Sequence, residues 1–267
     1  MMHLHINHSS RYHYDTPIAY ALQQVRLTPK RRKGQNVINW SISIEGGKKE
    51  LHFEDQHSNT VDLISIEPGR EEIIITCTGE VELTDSTGII GKHGGHAPLW
   101  YFQRTTELTK PGREIRKLVS ELRKEELPGL EQAHALSSMI RDTVTYSTGE
   151  THANTSAEEA LKLGEGVCQD HSHIFLSAAR LLGLPARYVS GYLMMDDRVD
   201  QDATHGWAEA YIEGLGWIGF DISNGHSPDE RYVRVATGLD YRGAAPISGM
   251  RYGAGEEQLS VELQVQQ

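Results

Sequence analysis

An α+β fold is predicted, with an N-terminal antiparallel β-sandwich-like region followed by helices packed on a second antiparallel sheet. Three observations carry this. The first 85 residues or so alternate apolar and polar side chains with period 2. Between Ile115 and Leu182 the apolar spacing lengthens to the helical 3.6. From Ala186 onward it returns to 2. Helices first and strands afterwards, in one stretch of chain, is the order of an α+β domain.

The elements follow in turn. Leu4 and Ile6 share one parity while His3 and His5 take the other; Ile38, Trp40, Ile42 and Ile44 alternate with polar partners, as do Ile73, Ile75, Cys77, Val81 and Leu83. Turn clusters at Glu45-Gly46-Gly47-Lys48 and Glu67-Pro68-Gly69-Arg70 separate these strands. Residues 1–90 are read as a β domain, 91–110 as a linker opened by Gly91-Lys92-His93-Gly94-Gly95, and 111–267 as a catalytic domain. In that last part Ile115, Leu118, Val119 and Leu122 mark one amphipathic helix, and Ala133, Leu136 and Ile140 a second after Pro128-Gly129. Thr155 or Ser156 caps a third, with Glu158 or Glu159 as the reciprocal partner. A fourth starts near Cys168, turns Phe175, Ala178, Ala179 and Leu182 inward, and stops at Gly183 and Pro185. Strands at 186–194, 203–212 and 216–222 follow, and Leu259, Val261, Leu263 and Val265 form a last one at a sheet edge.

Composition narrows the function. Lys and Arg number 26 against 37 Asp and Glu, a formal charge of −11, which gives no footprint for nucleic acid or anionic lipid. The exception is RLTPKRRKG at 26–34, five cations in nine residues, read as a solvated loop. No apolar run has membrane-spanning length and MMHLHINHSS lacks a secretory pattern, so a cytoplasmic location with free thiols is expected. Cys77 lies on the apolar parity of its strand and reads as a buried hydrophobe. No cofactor is expected: His3, His5, His8 and His13 lack an evident carboxylate or thiol partner for a metal, and His171 and His173 point away from each other on a helix.

Cys168 stands apart. Gly164-Glu165-Gly166-Val167 precedes it and an amphipathic helix follows, which puts the thiol at a helix N-terminus. Orphan N–H groups and the positive end of the macrodipole there favour a thiolate and can bind an oxyanion. Such a nucleophile needs a base and the base an orienting group. The hairpin supplies both if its loop is Glu213-Gly214-Leu215: Ile212 then faces Gly216, Trp207 faces Asp221, and His205 is the diagonal neighbour of Asp221 on one face. An even-length loop without a bulge would set His205 and Asp221 on opposite faces.

The blocks GEGVCQDHSHIFLSAARLLGLPARYVSGYL and DATHGWAEAYIEGLGWIGFDISNG resemble the transglutaminase-like superfamily of papain-type cysteine enzymes, closest to bacterial members with an extra N-terminal β domain. RYHYDTPIAYALQQVRLTPKRRKGQ resembles that accessory region, and VATGLDYRGAAPISGMRYG the end of the catalytic region. The resemblance implies a papain/transglutaminase-like core with Cys168 as nucleophile, His205 as general base then acid, and Asp221 as its orienter. It implies attack on an amide or peptide carbonyl, a thioester, and resolution by water or by an amine. Hydrolysis is the expected default; acyl transfer and a non-catalytic peptide-binding relative are the alternatives. The substrate is a peptide or amide, with an amine-bearing one favoured if Asp196, Asp197, Asp200 and Asp202 line the cleft. Tyr146 is a candidate second oxyanion donor and Trp207 a candidate cleft wall. Two positions depart from the family pattern: Gly206 stands where alanine is usual, and Ile222-Ser223 stands where Pro-Thr is usual after the aspartate.

Overall fold

The structure is a computed structural model that describes residues 1–252 and 255–267; Gly253, which ends the VATGLDYRGAAPISGMRYG block, and Ala254 lie outside the described residues. The N-terminal region runs β1 (Met2–Tyr14), β2 (Tyr20–Val25), β3 (Gln35–Glu45), β4 (Gly47–Glu54), β5 (Thr60–Ile66), β6 (Glu72–Leu83) and β7 (Ile89–Gly91). Then come α1 (Arg113–Arg123), α2 (Gly129–Thr143), β8 (Thr145–Tyr146), α3 (Ala157–Leu163), β9 (Glu165–Gly166) and α4 (Cys168–Leu181). The chain closes with β10 (Ala186–Leu193), β11 (Asp200–Gln201), β12 (His205–Ile212), β13 (Gly216–Phe220), β14 (Tyr232–Gly238), α5 (Tyr241–Ala244), β15 (Ile247–Tyr252) and β16 (Glu257–Gln266).

Three antiparallel sheets result, ordered β11-β16-β1-β6-β3, β15-β2-β5-β4 and β14-β10-β12-β13-β7. The first two form the sandwich, and each takes a strand from the C-terminal end of the chain. On β1 one parity is buried from Leu4 to Tyr14. Leu4 and Ile6 join Val81, Leu83, Leu263 and Val265 in the core that continues into the helices; Tyr12 and Tyr14 pack with Ile64, Ile73 and Cys77 between the sandwich sheets. His8 bridges the two cores, with Nδ1 3.0 Å from Tyr192 Oη and Nε2 3.0 Å from Ser10 Oγ. Burial lowers its pKa to about 4, so it is neutral at pH 7.

Two expectations need correction here. A bulge between Val37 and Asn39 shifts the register of β3, so Val37 is buried and Ile38 points outward, off the apolar face assigned to it. The basic stretch at 26–34 is not a solvated loop either: Arg26 is buried and Lys30 and Arg32 are half-buried.

The helices form where their apolar stripes and caps place them. Ile115, Val119 and Leu122 are the buried stripe of α1, and the Glu158 carboxylate accepts from Gly112, Glu114 and Ile115 N–H at 3.0, 2.7 and 3.1 Å. Ser156 caps α3 by reciprocal bonds with Glu159, so the alternative cap Thr155 is not used. Helix α4 is buried on all sides from Asp170 to Arg180 because it runs through the middle of the core, against β10 and β12. Its last turn holds Arg180, which donates to the Phe102 and Ala186 carbonyls at 3.1 and 2.9 Å. No helix among the described residues is long and apolar enough to cross a membrane.

Candidate active site

Cys168 is the first residue of α4 and is half-buried. Asp170 Oδ2 accepts from the Val167 N–H at 2.8 Å and from Thr151 Oγ1 at 2.6 Å, which fixes the strand-to-helix turn that presents the thiol. Gly166 is needed in that turn: a Cβ there would sit 2.7 Å from Asp170 Oδ2. A two-residue parallel bridge between β8 and β9 holds Tyr146 beside Gly166, two residues before the cysteine.

The hairpin adopts the three-residue loop. Ile212 pairs with Gly216 and Ala208 with Phe220, so Trp207 and Asp221 stand next in register. His205 is bonded to the aspartate and lies near the thiol. Its Nε2–H donates to Asp221 Oδ2 at 2.6 Å, and Cys168 lies close enough to raise the pKa of the same imidazole. Burial opposes charge on His205, but the Asp221 carboxylate and its hydrogen bond, with Cys168 added, outweigh it and raise the pKa to about 10. Asp221 is fully buried, and burial alone would raise its pKa. The His205 charge and hydrogen bonds from His205, Tyr232 and Asn224 hold it instead at about 2. Tyr232 Oη donates to Oδ2 at 2.6 Å and Asn224 Nδ2 at 2.7 Å. The Asp221 carboxylate thus favours the protonated form of the His205 ring, which lies next to a thiol.

An open cleft of about 480 Å³ reaches this group. Tyr146 and His205 line it, and the Tyr146 hydroxyl has its pKa raised by burial and by the nearby Cys168. Trp207 does not wall the cleft: it is buried, within 6.1 Å of the His205 ring and 5.4 Å of the Tyr232 ring by centroid, and backs the imidazole from behind. Asp196 and Asp197 reach the cleft together with Arg198 and Arg231; Asp196 pairs with Arg231 at 2.9 Å and Asp197 with Arg198 at 3.7 Å. Asp200 and Asp202 lie elsewhere, beside a separate hollow on β16. Cys77 is buried and its thiol is pushed up to about 12 by burial. The carboxylate missing from the histidine cluster is Glu80, which approaches His3 Nε2 at 3.0 Å and His5 Nδ1 at 4.0 Å on the exposed face of β1 and β6.

The model of the transglutaminase-like superfamily matches residues 116–222, which hold all three of these side chains, and the model of the bacterial transglutaminase-like N-terminal region matches residues 4–82. The chain belongs to the transglutaminase-like superfamily. Its relatives include the uncharacterized protein ML0607 of Mycobacterium leprae, 26% identical over 285 residues and 99% of both chains. The uncharacterized protein Rv2569c of Mycobacterium tuberculosis is 26% identical over 92% of this chain and 87% of its own. The crystal structure of "a Putative Cysteine Protease from Cytophaga hutchinsonii" superposes with a TM-score of 0.76 over 99% of this chain and 98% of that one, at 20% identity, and shares the fold.

Both departures from the transglutaminase-like pattern have a physical reason. A Cβ on residue 206 would lie 2.1 Å from the Tyr188 hydroxyl, so the buried tyrosine requires the glycine. The turn after Asp221 is held without proline. Asp221 N–H donates to the His226 carbonyl at 2.9 Å, and Gly225 N–H to the Asp221 carbonyl at 2.8 Å. Ser223 Oγ is 2.8 Å from His171 Nδ1, whose Nε2 is 3.0 Å from the Val144 carbonyl. Burial lowers the His171 pKa, so the neutral ring can donate at one nitrogen and accept at the other. His171, one turn along α4 from Cys168, thus ties the aspartate turn to the cysteine helix. Sequence reading weighed it only as a metal ligand, and nothing in its local pattern signalled the Ser223 contact.

Proposed function

We propose that this transglutaminase-like protein is a cysteine enzyme that cleaves an amide or peptide bond through a thioester acyl-enzyme. The observation that carries this is the buried His205–Asp221 pair beside Cys168, with Asp221 bonded at Nε2. A cationic imidazole beside a thiol at a helix N-terminus favours the thiolate. The thiolate attacks the carbonyl, and the first N–H groups of α4, which have no acceptor within the helix, receive the oxyanion. Tyr146 stands at the same cleft and is the proposed second donor. His205 gives its proton to the departing amine, and Asp221 keeps the ring in the orientation that does so. Neutral imidazole then takes a proton from the incoming water, the thioester breaks, and the acid leaves with the thiolate restored.

Hydrolysis is favoured over transfer to an amine because the cleft is open to solvent and its carboxylates are matched by Arg198 and Arg231. No net acidic surface is left there to gather amines. The test is a panel of peptide and amide substrates offered to the wild type and to Cys168→Ala, with mass spectrometry of the intact protein. An acyl adduct on the wild type at Cys168, lost on adding water-accessible time and absent from the variant, is the expected result. Turnover by Cys168→Ala equal to the wild type would refute the reading, and amide products formed in added amine without free acid would replace hydrolysis by transfer.

A further inference from the structure

A cavity of about 680 Å³ lies apart from the cleft that Tyr146 and His205 line. It lies where the 28–32 loop and the 54–60 turn of the sandwich meet the glycine-rich 92–97 segment and the outer face of the β10-β12-β13-β14 sheet. Six cations line it, Lys30, Arg31, Arg32, Lys92, Arg187 and Arg234, against one carboxylate, Glu54. In a chain of formal charge −11 this is a local inversion. We propose that this cavity is a binding site for a small phosphate-bearing anion.

Carboxylates meet only part of this positive charge. Glu209, buried behind the wall, is shared by two guanidiniums: Arg187 Nε at 2.5 Å and Arg234 Nε at 2.8 Å. Lys30 Nζ meets only neutral acceptors, the His57 carbonyl at 2.6 Å and Thr237 Oγ1 at 3.2 Å. Arg31 Nη2 donates to the Val37 carbonyl at 3.1 Å. Arg32 Nε and His57 Nδ1 are buried with no partner among the described residues. Such groups are costly to bury unless something binds them, a charged one most of all. The same field acts on its neighbours. Burial lowers the affinity of Lys30 for its proton, and Arg234 and Arg187 lower it further against Asp55 and Glu209. His57 falls to about 4, chiefly by burial, with Lys30, Arg187 and Arg26 adding to it against Asp55.

The chemistry of the occupant follows from the walls. Cations arriving from four separate segments suit a compact, multiply charged group whose oxygens point several ways, and guanidinium forks match phosphate oxygens. Trp40, Phe102 and Trp217 line the remainder, with Arg187 stacked 3.8 Å over the Trp217 ring, and these surfaces suit an organic portion.

The test titrates the whole protein with pyrophosphate, ATP, citrate and sodium chloride at matched ionic strength, following tryptophan fluorescence and thermal unfolding. Saturable binding of pyrophosphate or ATP, with a rise in Tm that chloride and citrate do not give, is expected. Equal affinity for pyrophosphate and ATP assigns the site to free phosphates; tighter ATP assigns it to an organic phosphate, and both support the proposal. Arg32→Gln, and separately the exposed Lys92→Gln, should weaken binding roughly tenfold or more while leaving the rate of Cys168 alkylation unchanged. No saturable response to either phosphate, an equal response to citrate, or unaltered binding by both folded variants would overturn it.

Discussion

Asp221→Asn tests the electrostatics of the site at its most loaded atom. Oδ2 receives His205, Tyr232 and Asn224 at 2.6, 2.6 and 2.7 Å in a fully buried position. An amide keeps an acceptor for Tyr232 or Asn224 but removes the charge that holds the proton on His205. Removing one partner of a buried ion pair costs about 3–5 kcal/mol, and the retained acceptor puts this variant near the lower end. The sign of the pH dependence follows from the shifts. His205 has its pKa raised from 6.5 to about 10, so its contribution to stability is complete below pH 6.5 and is lost as pH rises through 10. Asp221 has its pKa lowered from 3.8 to about 2, so its contribution is present above pH 3.8 and is lost as pH falls through 2.

Between pH 7 and 9 the folded wild type therefore holds a proton that the unfolded chain releases, and this group alone makes stability fall by up to ~1.4 kcal/mol per pH unit. Urea denaturation of wild type and variant at pH 6.5 and 8.5 measures the difference. The variant is expected to be less stable at pH 6.5 and to lose less between the two values. Iodoacetamide labelling at pH 6.5 adds a second readout: without the imidazolium, Cys168 should react roughly tenfold or more slowly, since a charge-assisted bond of about 1.5–3 kcal/mol is lost. A folded variant with the wild-type pH slope and the wild-type labelling rate would refute the account of His205.

Native protein should take up one iodoacetamide and denatured protein two, because burial shields Cys77; Cys168→Ala should take up none when native, and a native label on Cys77 by peptide mapping would contradict its burial. Gly206→Ala should lose about 1–3 kcal/mol from the clash with Tyr188, recovered in part by Tyr188→Phe in a double-mutant cycle; an additive cycle would show that the hydroxyl is not what requires the glycine. Glu209→Gln should destabilise by about 3–5 kcal/mol at pH 7, as it strands Arg187 and Arg234, and the gap should close on acidification toward the lowered pKa of about 2; a gap independent of pH would show that charge is not the cause.

The parts of this molecule that sequence could reveal are those fixed by short-range rules. Period 2 located β1 and β6, and the choice of Thr155 or Ser156 as cap, with Glu158 or Glu159 as partner, located the start of α3 to within one residue. The His205–Asp221 contact was legible because the hairpin is local: a loop of three residues sets the register, and the register sets the face. What escaped depends on contacts between distant segments. The bulge at Ile38 answers to the partner strand β6, which no local pattern encodes. The Ser223–His171 tie joins residues on a turn and a helix that meet only in the folded chain. The cation-lined cavity is the strongest case. Lys30, Lys92, Arg187 and Arg234 are scattered over two hundred residues or so, and in an acidic sequence each reads as an ordinary solvated charge. Only packing the sandwich against the sheet brings them together, and it does so on the face of β12 that carries His205. Glu209 lies four residues from that histidine, roughly 13 Å along the strand at 3.3 Å per residue, with the buried Trp207 between. One strand thus presents two sites of opposite electrostatic demand, a carboxylate-bound imidazole at one end and a carboxylate outnumbered by guanidiniums toward the other.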